Sequence, residues 1–348
     1  MPTNTINTPL TKLLNVQIPI ILAPMAFAAS ADLASAVTKA GAFGFIPASF
    51  HSSAELKQEL NKARKILSTA QDEPVPVGIG FIGWILDKTE VSDDPRLEAV
   101  LEEKPVALWF AFGDDLGKYI KRVRVYDSKR EHKTVVFVIV STVEDALKAA
   151  NEWGADVLVA QGIEAGGHGH ADAPPLLTVL EALNRAIPPG SGPLIVAAGG
   201  ISTGSQIAAL LTAGASGVAL GTRFLFTNEC IYSPPQKDAL INAGLVDSTV
   251  RTLAFDEVGR TMGWPAKHDG RALNNDIMKD ARDGLGLEER LKKFDEGKMK
   301  GETERLIVWA GVGVGLSDSI KPAEDVVREL QIESIGALRR ASGLLVAQ

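Results

Sequence analysis

The 348-residue sequence predicts an α/β chain, a closed barrel of eight parallel strands with an appended, mainly helical C-terminal lobe. Three observations carry that expectation. Eight short apolar runs recur, each followed by a helical pattern. The runs are continuous Val, Ile, Leu and Ala, as in strands buried on both faces, rather than alternating with polar residues. The rhythm stops after Phe224. The length suits a TIM-type (β/α)8 barrel with an insertion, since such barrels run to about 250 residues and beyond.

The first run spans residues 18–25 and leads into an amphipathic segment at 32–40. The second, 43–49, precedes a Lys- and Glu-rich helix at 54–68. Runs three and four lie at 75–82 and 106–113, with helical stretches near 96–103 and 115–125. The fifth run, 134–141, has the helix 143–153 behind it. The sixth, seventh and eighth lie at 156–163, 193–200 and 217–224, separated by helices at 174–186 and 203–213. A doubly wound open sheet is the runner-up, but it would show G-x-G-x-x-G after its first strand, and residues 23–28 read APMAFA.

The barrel is therefore expected over residues 1–227 and 316–348, with 228–315 inserted after the eighth strand as a helical substrate or lid lobe. That segment is polar and charged, and its stretch 288–300 reads as a solvated helix face. The cluster Ala310-Gly-Val-Gly-Val-Gly315 has G-x-G-x-G spacing, which is not the dinucleotide fingerprint, and a helix at 322–341 should close the outer ring.

Composition excludes several classes. Hydrophobic residues make up 45% and charged residues 23%, an ordinary globular balance. A net charge of -7 argues against a nucleic-acid partner. One cysteine, Cys230, permits neither an internal disulfide nor a cysteine-based metal site, and reads as a small buried hydrophobe. No secretory signal or apolar run of about 18 residues is visible, so a cytoplasmic protein without a membrane partner is expected. The oligomeric state is open.

The chemistry gathers at strand ends. The stretch 156–170, DVLVAQGIEAGGHGH, is a strand opening into a glycine-rich loop that carries two imidazoles, His168 and His170. Ala23, Pro24, Met25, Gly80, Gln161, Gly199, Gly200, Gly221 and Thr222 also fall at strand ends. The pairs Gly199-Gly200 and Gly221-Thr222 follow strands seven and eight, where barrels hold a phosphate on backbone N–H groups, and Thr203-Gly-Ser205 could begin a helix there. With no metal-ligand cluster and no strand ending in a Schiff-base lysine, FMN is the cofactor that fits best.

The motifs ILAPM at 21–25, VAQGIEAGGH at 159–168, AGG at 198–200 and LGTRF at 220–224 together resemble the nitronate monooxygenase family, formerly the 2-nitropropane dioxygenases. WAGVGVGL at 309–316 and IKP at 320–322 resemble its fungal-type members, and the likeness covers most of the chain. The resemblance implies an FMN barrel in which His168 faces the flavin and Met25, Gln161, Gly199, Gly200, Gly221 and Thr222 line it. Ala23, Pro24, Gly80, Gly166, Gly167 and Ala198 complete the expected cofactor set. The chain departs from the family pattern at Gly80, where many relatives carry asparagine, and at Ile139 to Ser141, where glutamine or lysine is common.

The implied activity is oxidation of a nitronate by O2 to a carbonyl compound and nitrite. A nitronate is an electron-rich anion that gives up electrons to flavin, whereas a neutral nitroalkane first loses its α-proton to a base. An ordinary imidazole, titrating near ~6.5, suits that step. His168 is the expected base or the group that holds the anion, and His170 is its rival. Glu164 reads as a loop hydrogen-bonding group, and His51, His132 and His268 as surface residues. Two alternatives remain open: an NAD(P)H-dependent flavin reductase of quinones or enoyl thioesters, and a flavin-binding protein without turnover.

Overall fold

The computed structural model describes residues 5–344, so residues 1–4 and 345–348 of the expected barrel segments lie outside the described residues. Its strands are β1 Ile20–Leu22, β2 Phe43–Pro47, β3 Val75–Ile82, β4 Pro105–Ala111, β5 Val135–Val140, β6 Val157–Gln161, β7 Gly167–His170, β8 Leu194–Ala198, β9 Gly217–Leu220, β10 Thr249–Thr252 and β11 His268–Leu273. Eight of them close in the order β1-β2-β3-β4-β5-β6-β8-β9, and β9 pairs in parallel with β1 through Ile21 and Ala219. All eight expected runs supply a barrel strand. The first and last end earlier than their apolar runs suggest, at Leu22 and Leu220. Pro24 has no N–H with which to continue a ladder, and Thr222 already starts a short helix, Thr222–Leu225.

The barrel interior explains why a cavity opens at its C-terminal end. Phe45 packs edge-on against Trp109 and Phe137, with ring centroids 5.3 and 5.2 Å apart, while Trp109 stacks on Phe137. A Cβ at Gly78 would lie 2.2 Å from the Phe45 ring, so glycine is what admits that ring. Below, Leu10 and Leu14 of the N-terminal helix Pro9–Leu14 join the same apolar cluster and plug the floor. Toward the C-terminal ends the inward residues are small, among them Ala111, Ala198 and Ala219, and space opens there.

Segment 228–315 contains the helices Pro234–Ile241, Ala254–Gly259, Asp276–Arg282 and Leu287–Lys300, with an apolar cluster of Phe255, Val258, Ala272, Ile277 and Phe294. It also contains β10 and β11, which the helical expectation missed. These pair antiparallel in the order β10-β11-β7, so the expected glycine loop at 167–170 is a strand. A Gly-His-Gly-His stretch has little strand propensity of its own, and pairing with β11, about a hundred residues away, creates the strand. The long helix Ala323–Ser342 packs on the helix Gly204–Thr212, where a Cβ on Gly204 would meet the Glu333 side chain at 2.3 Å.

Candidate active site

A cavity of about 960 Å³ occupies the C-terminal end of the barrel under segment 228–315. All thirteen expected site residues line it: Ala23, Pro24 and Met25 after β1, Gly80 in β3, Gln161 of β6, Gly166, Gly167 and His168 in the following loop and β7, Ala198, Gly199 and Gly200 at β8, and Gly221 and Thr222 after β9. The volume is at the upper end of small-molecule pockets, enough for a cofactor with a substrate beside it.

His168 is fixed from three sides. Its Nε2 lies 3.0 Å from both carboxylate oxygens of Asp256, which is fully buried on the helix Ala254–Gly259. Its ring stacks on Trp264 at 3.4 Å between centroids and 7° between planes, and tilts against Trp309 at 4.6 Å. Asp256 also accepts from Thr261 Oγ1 at 2.8 Å and Trp264 Nε1 at 2.9 Å, so every neighbour donates to it. A carboxylate held by donors accepts the Nε2 proton, which places the lone pair of the neutral ring on Nδ1. Among the described residues, Nδ1 has no hydrogen-bond partner. Asp256, Thr261 and Trp264 were not found by sequence reasoning, and Trp309 was read only as part of a motif, without a place in the site. Asp256 lies 88 residues from His168 with no motif joining them.

His170, on the same strand, is not in the cavity lining. It pairs across the ladder with His268, with ring centroids 5.6 Å apart, and its Nδ1 accepts from the Asp172 amide. Burial pulls the His268 and His132 imidazoles below their usual range, so neither is the plain surface residue expected. Glu164 accepts from the Leu176 amide at 2.9 Å and caps the helix Leu176–Ala186, a loop role. Cys230 is buried at 3% exposure, as its reading required.

The glycines at the end of β8 allow close approach of neighbouring chain, backbone of residues 162 and 165 at Gly199 and side chains at Gly200. Gly199 and Gly200 have φ of +119° and +69°, and a Cβ on Gly200 would come within 2.9 Å of the Glu164 side chain. The cluster 310–315 has the same purpose. A Cβ on Gly166 would lie 2.3 Å from the Gly311 amide, and one on Gly313 would lie 2.7 Å from the Gly200 carbonyl oxygen. The returning chain is thereby laid across the strand-end loops, with the Gly311 N–H donating to Thr222 Oγ1 at 2.9 Å. The helix start at Thr203 does not contribute to the main cavity. Its amides are taken by the Thr203–Gln206 capping box and by Glu333, which accepts from Gly204 at 2.8 Å.

The residues present suit a flavin. Gln161 Nε2 donates to the His168 carbonyl at 3.1 Å, which leaves its buried Oε1 without a partner at the cavity wall, an acceptor suited to a ring N–H. Gly221 leaves open space, since an added Cβ would meet only Met25 atoms, the nearest at 3.3 Å. At the two departures the walls are apolar or occupied. The Pro24 ring fills the space beside Gly80, where a Cβ would lie 2.3 Å from it, so an asparagine could not be accommodated. Ile139 lines the cavity, and Ser141 donates to the Gln161 carbonyl at 3.1 Å.

The sequence profile described as nitronate monooxygenase matches residues 7–80 and 82–333. A protein named nitronate monooxygenase from Neurospora crassa is 35% identical over 340 residues, covering 90% of this chain and 88% of its own. Among solved structures, FabK from Thermotoga maritima superposes with a TM-score of 0.78 at 26% identity, covering 98% of this chain and 100% of its own. A nitroalkane oxidase from Streptomyces ansochromogenes does so with a TM-score of 0.76 at 26% identity, covering 96% and 99%.

Proposed function

The chain belongs to the nitronate monooxygenase family, a family of oxidoreductases, and on that footing we propose that it oxidises alkyl nitronates with O2 to a carbonyl compound and nitrite, using FMN held in the barrel-end cavity. The observation that carries the reading is His168 at the cavity wall, held at Nε2 by the buried Asp256 behind it, with Nδ1 free of a hydrogen-bond partner among the described residues.

Bound flavin supplies the electron acceptor that relays electrons from the nitronate to O2. The chain's own residues handle the proton. His168 Nδ1 takes the α-proton of a neutral nitroalkane, and Asp256 keeps the ring in the required tautomer and stabilises the imidazolium that forms. That cation beside the substrate then favours the nitronate over its conjugate acid. Trp264, stacked on the ring, and Trp309, tilted against it, hold its orientation. Gln161 and the strand-end glycines would hold the cofactor, with its phosphate at Gly199, Gly200, Gly221 and Thr222. Segment 228–315 acts as the substrate lobe, because it contributes Asp256, Thr261, Trp264 and Trp309.

The purified protein is expected to be yellow and to release FMN on denaturation. Chromatography of the released flavin decides it, and FAD would overturn the terminal phosphate seat at β8 and β9. Thr222→Asp is expected to lower flavin occupancy, read from the ratio of visible to ultraviolet absorbance, because the new carboxylate repels a phosphate. Full occupancy with an unchanged melting temperature would refute the seat. Anaerobic addition of NADPH distinguishes the reductase alternative, which requires the flavin to bleach.

A further inference from the structure

We infer that the substrate is a nitronate with a large apolar substituent, aromatic or long alkyl, whose tail rests on Phe27 and Phe50 at the mouth of the cavity while its nitro-bearing carbon reaches His168. The inference rests on the nitronate oxidation proposed above and adds the substrate class to it.

An aromatic track joins the surface to the candidate base. Phe27 and Phe50 are 56% and 51% exposed and stack on one another with centroids 5.9 Å apart. Phe50 meets Trp84 at 6.3 Å, Trp84 meets Trp264 at 5.6 Å, and Trp264 stacks on His168. Phe112 flanks Trp264 at 5.3 Å. Phe27, Phe50, Phe112 and Trp264 all line the cavity. Exposed rings in contact with each other, continuous with a cavity wall, are a recognition surface for apolar groups rather than isolated surface residues.

The backbone under these rings is strained. Phe27 and Phe112 have φ of +61°, and Ser49, immediately before Phe50, has φ of +43°. Bulky residues seldom enter the left-handed region, and strain of this kind persists where surrounding structure enforces it, typically at binding sites. At Phe50 the enforcing group is Arg96, 1% exposed, whose Nη1 donates to the carbonyls of Ser49 at 2.9 Å and His51 at 3.0 Å. A buried guanidinium spent on two loop carbonyls fixes where the Phe50 ring stands.

Charge points the same way. The Asp, Glu, Lys and Arg side chains lining the cavity are Arg260, Asp295 and Lys298, all in segment 228–315. Arg260 is closed on Asp295 by two hydrogen bonds of 3.1 and 2.8 Å, and only Lys298, exposed on its helix, is available to an anion. None of the three is part of the aromatic track. The cation recorded against a track ring is Lys88, whose Nζ lies 4.7 Å over Trp84, and neither of those two residues lines the cavity, so a substituent on Phe27 and Phe50 inside it meets rings.

The experiment compares preformed nitronates of nitroethane, 1-nitrohexane and 2-phenylnitroethane with the dianion of 3-nitropropionate. From ethyl to phenylethyl nitronate, kcat/KM should rise about tenfold or more, mostly through KM. In the Phe27→Ala/Phe50→Ala double variant, whose rings are exposed and outside the core, that ratio should fall by about fivefold or more. A second readout needs no O2 and no nitrite release. Titration of the protein with 2-phenylnitroethane under nitrogen should quench the tryptophan emission, and the double variant should weaken that binding by a similar factor. Equal kcat/KM across the series, a preference for the 3-nitropropionate dianion, or quenching that is the same in the double variant overturns the inference. If no nitronate yields nitrite, the proposed oxidation fails, and the quenching titration still decides whether the aromatic site exists.

Discussion

His168→Asn is expected to lower turnover of neutral nitroalkanes by about 10²–10⁴-fold, the ordinary contribution of a positioned general base. Preformed nitronate should retain much of its rate, because the α-proton has already left in solution and only electron transfer remains. Nitrite release from nitroethane and from ethyl nitronate, measured side by side, makes the comparison. Loss on both substrates with a raised KM for the nitronate would instead assign His168 to holding the anion. His170→Asn is the control and should leave both rates unchanged, since His170 faces His268 across the small sheet, outside the cavity lining. The reverse pattern would exchange the roles of the two imidazoles.

The second large effect concerns Asp256. Asp256→Asn replaces an acceptor of three donors, His168, Thr261 and Trp264, with a group that itself donates, and the neutral ring can then carry its proton on the wrong nitrogen. Turnover of neutral nitroalkane should fall by about two to three orders of magnitude through kcat, with little change in KM. Leaving buried donors unmatched should also reduce stability by about 1–3 kcal/mol, visible as a lower melting temperature. A purely structural role predicts equal losses on nitroalkane and on preformed nitronate. A role through His168 predicts that the nitronate is largely spared, and equal losses would remove Asp256 from the mechanism.

The two residues differ in how visible they were. His168 is announced by its own neighbours, an apolar run passing into glycines, because a strand end and a flexible backbone are local properties. Asp256 sits in Ala254–Gly259, an unremarkable amphipathic helix, and becomes significant only because β11 pairs with β7 and draws segment 228–315 over the cavity. The same pairing corrected the reading of residues 167–170 as a loop. The glycines were legible as places of close approach, but not what approaches them. Gly200 was read as room for a phosphate, whereas its left-handed φ and the Glu164 side chain already demand glycine, so Gly200→Val would strain the fold itself and Thr222→Asp is the cleaner probe. Gly80, a departure from the family pattern, is explained by the Pro24 ring that fills the space beside it.

By itself the sequence determined the eight-stranded barrel and the end at which chemistry gathers, because burial on both faces dictates continuous apolar runs and strand ends show as glycine and proline. Only the tertiary structure decided which of two neighbouring imidazoles lines the cavity, what carboxylate orients it and which rings line the approach. His168 and His170, two residues apart on β7, share a face of the small sheet, so their places along the strand separate them: one stands against Asp256 and Trp264, the other against His268, and all three partners come from chain about a hundred residues away.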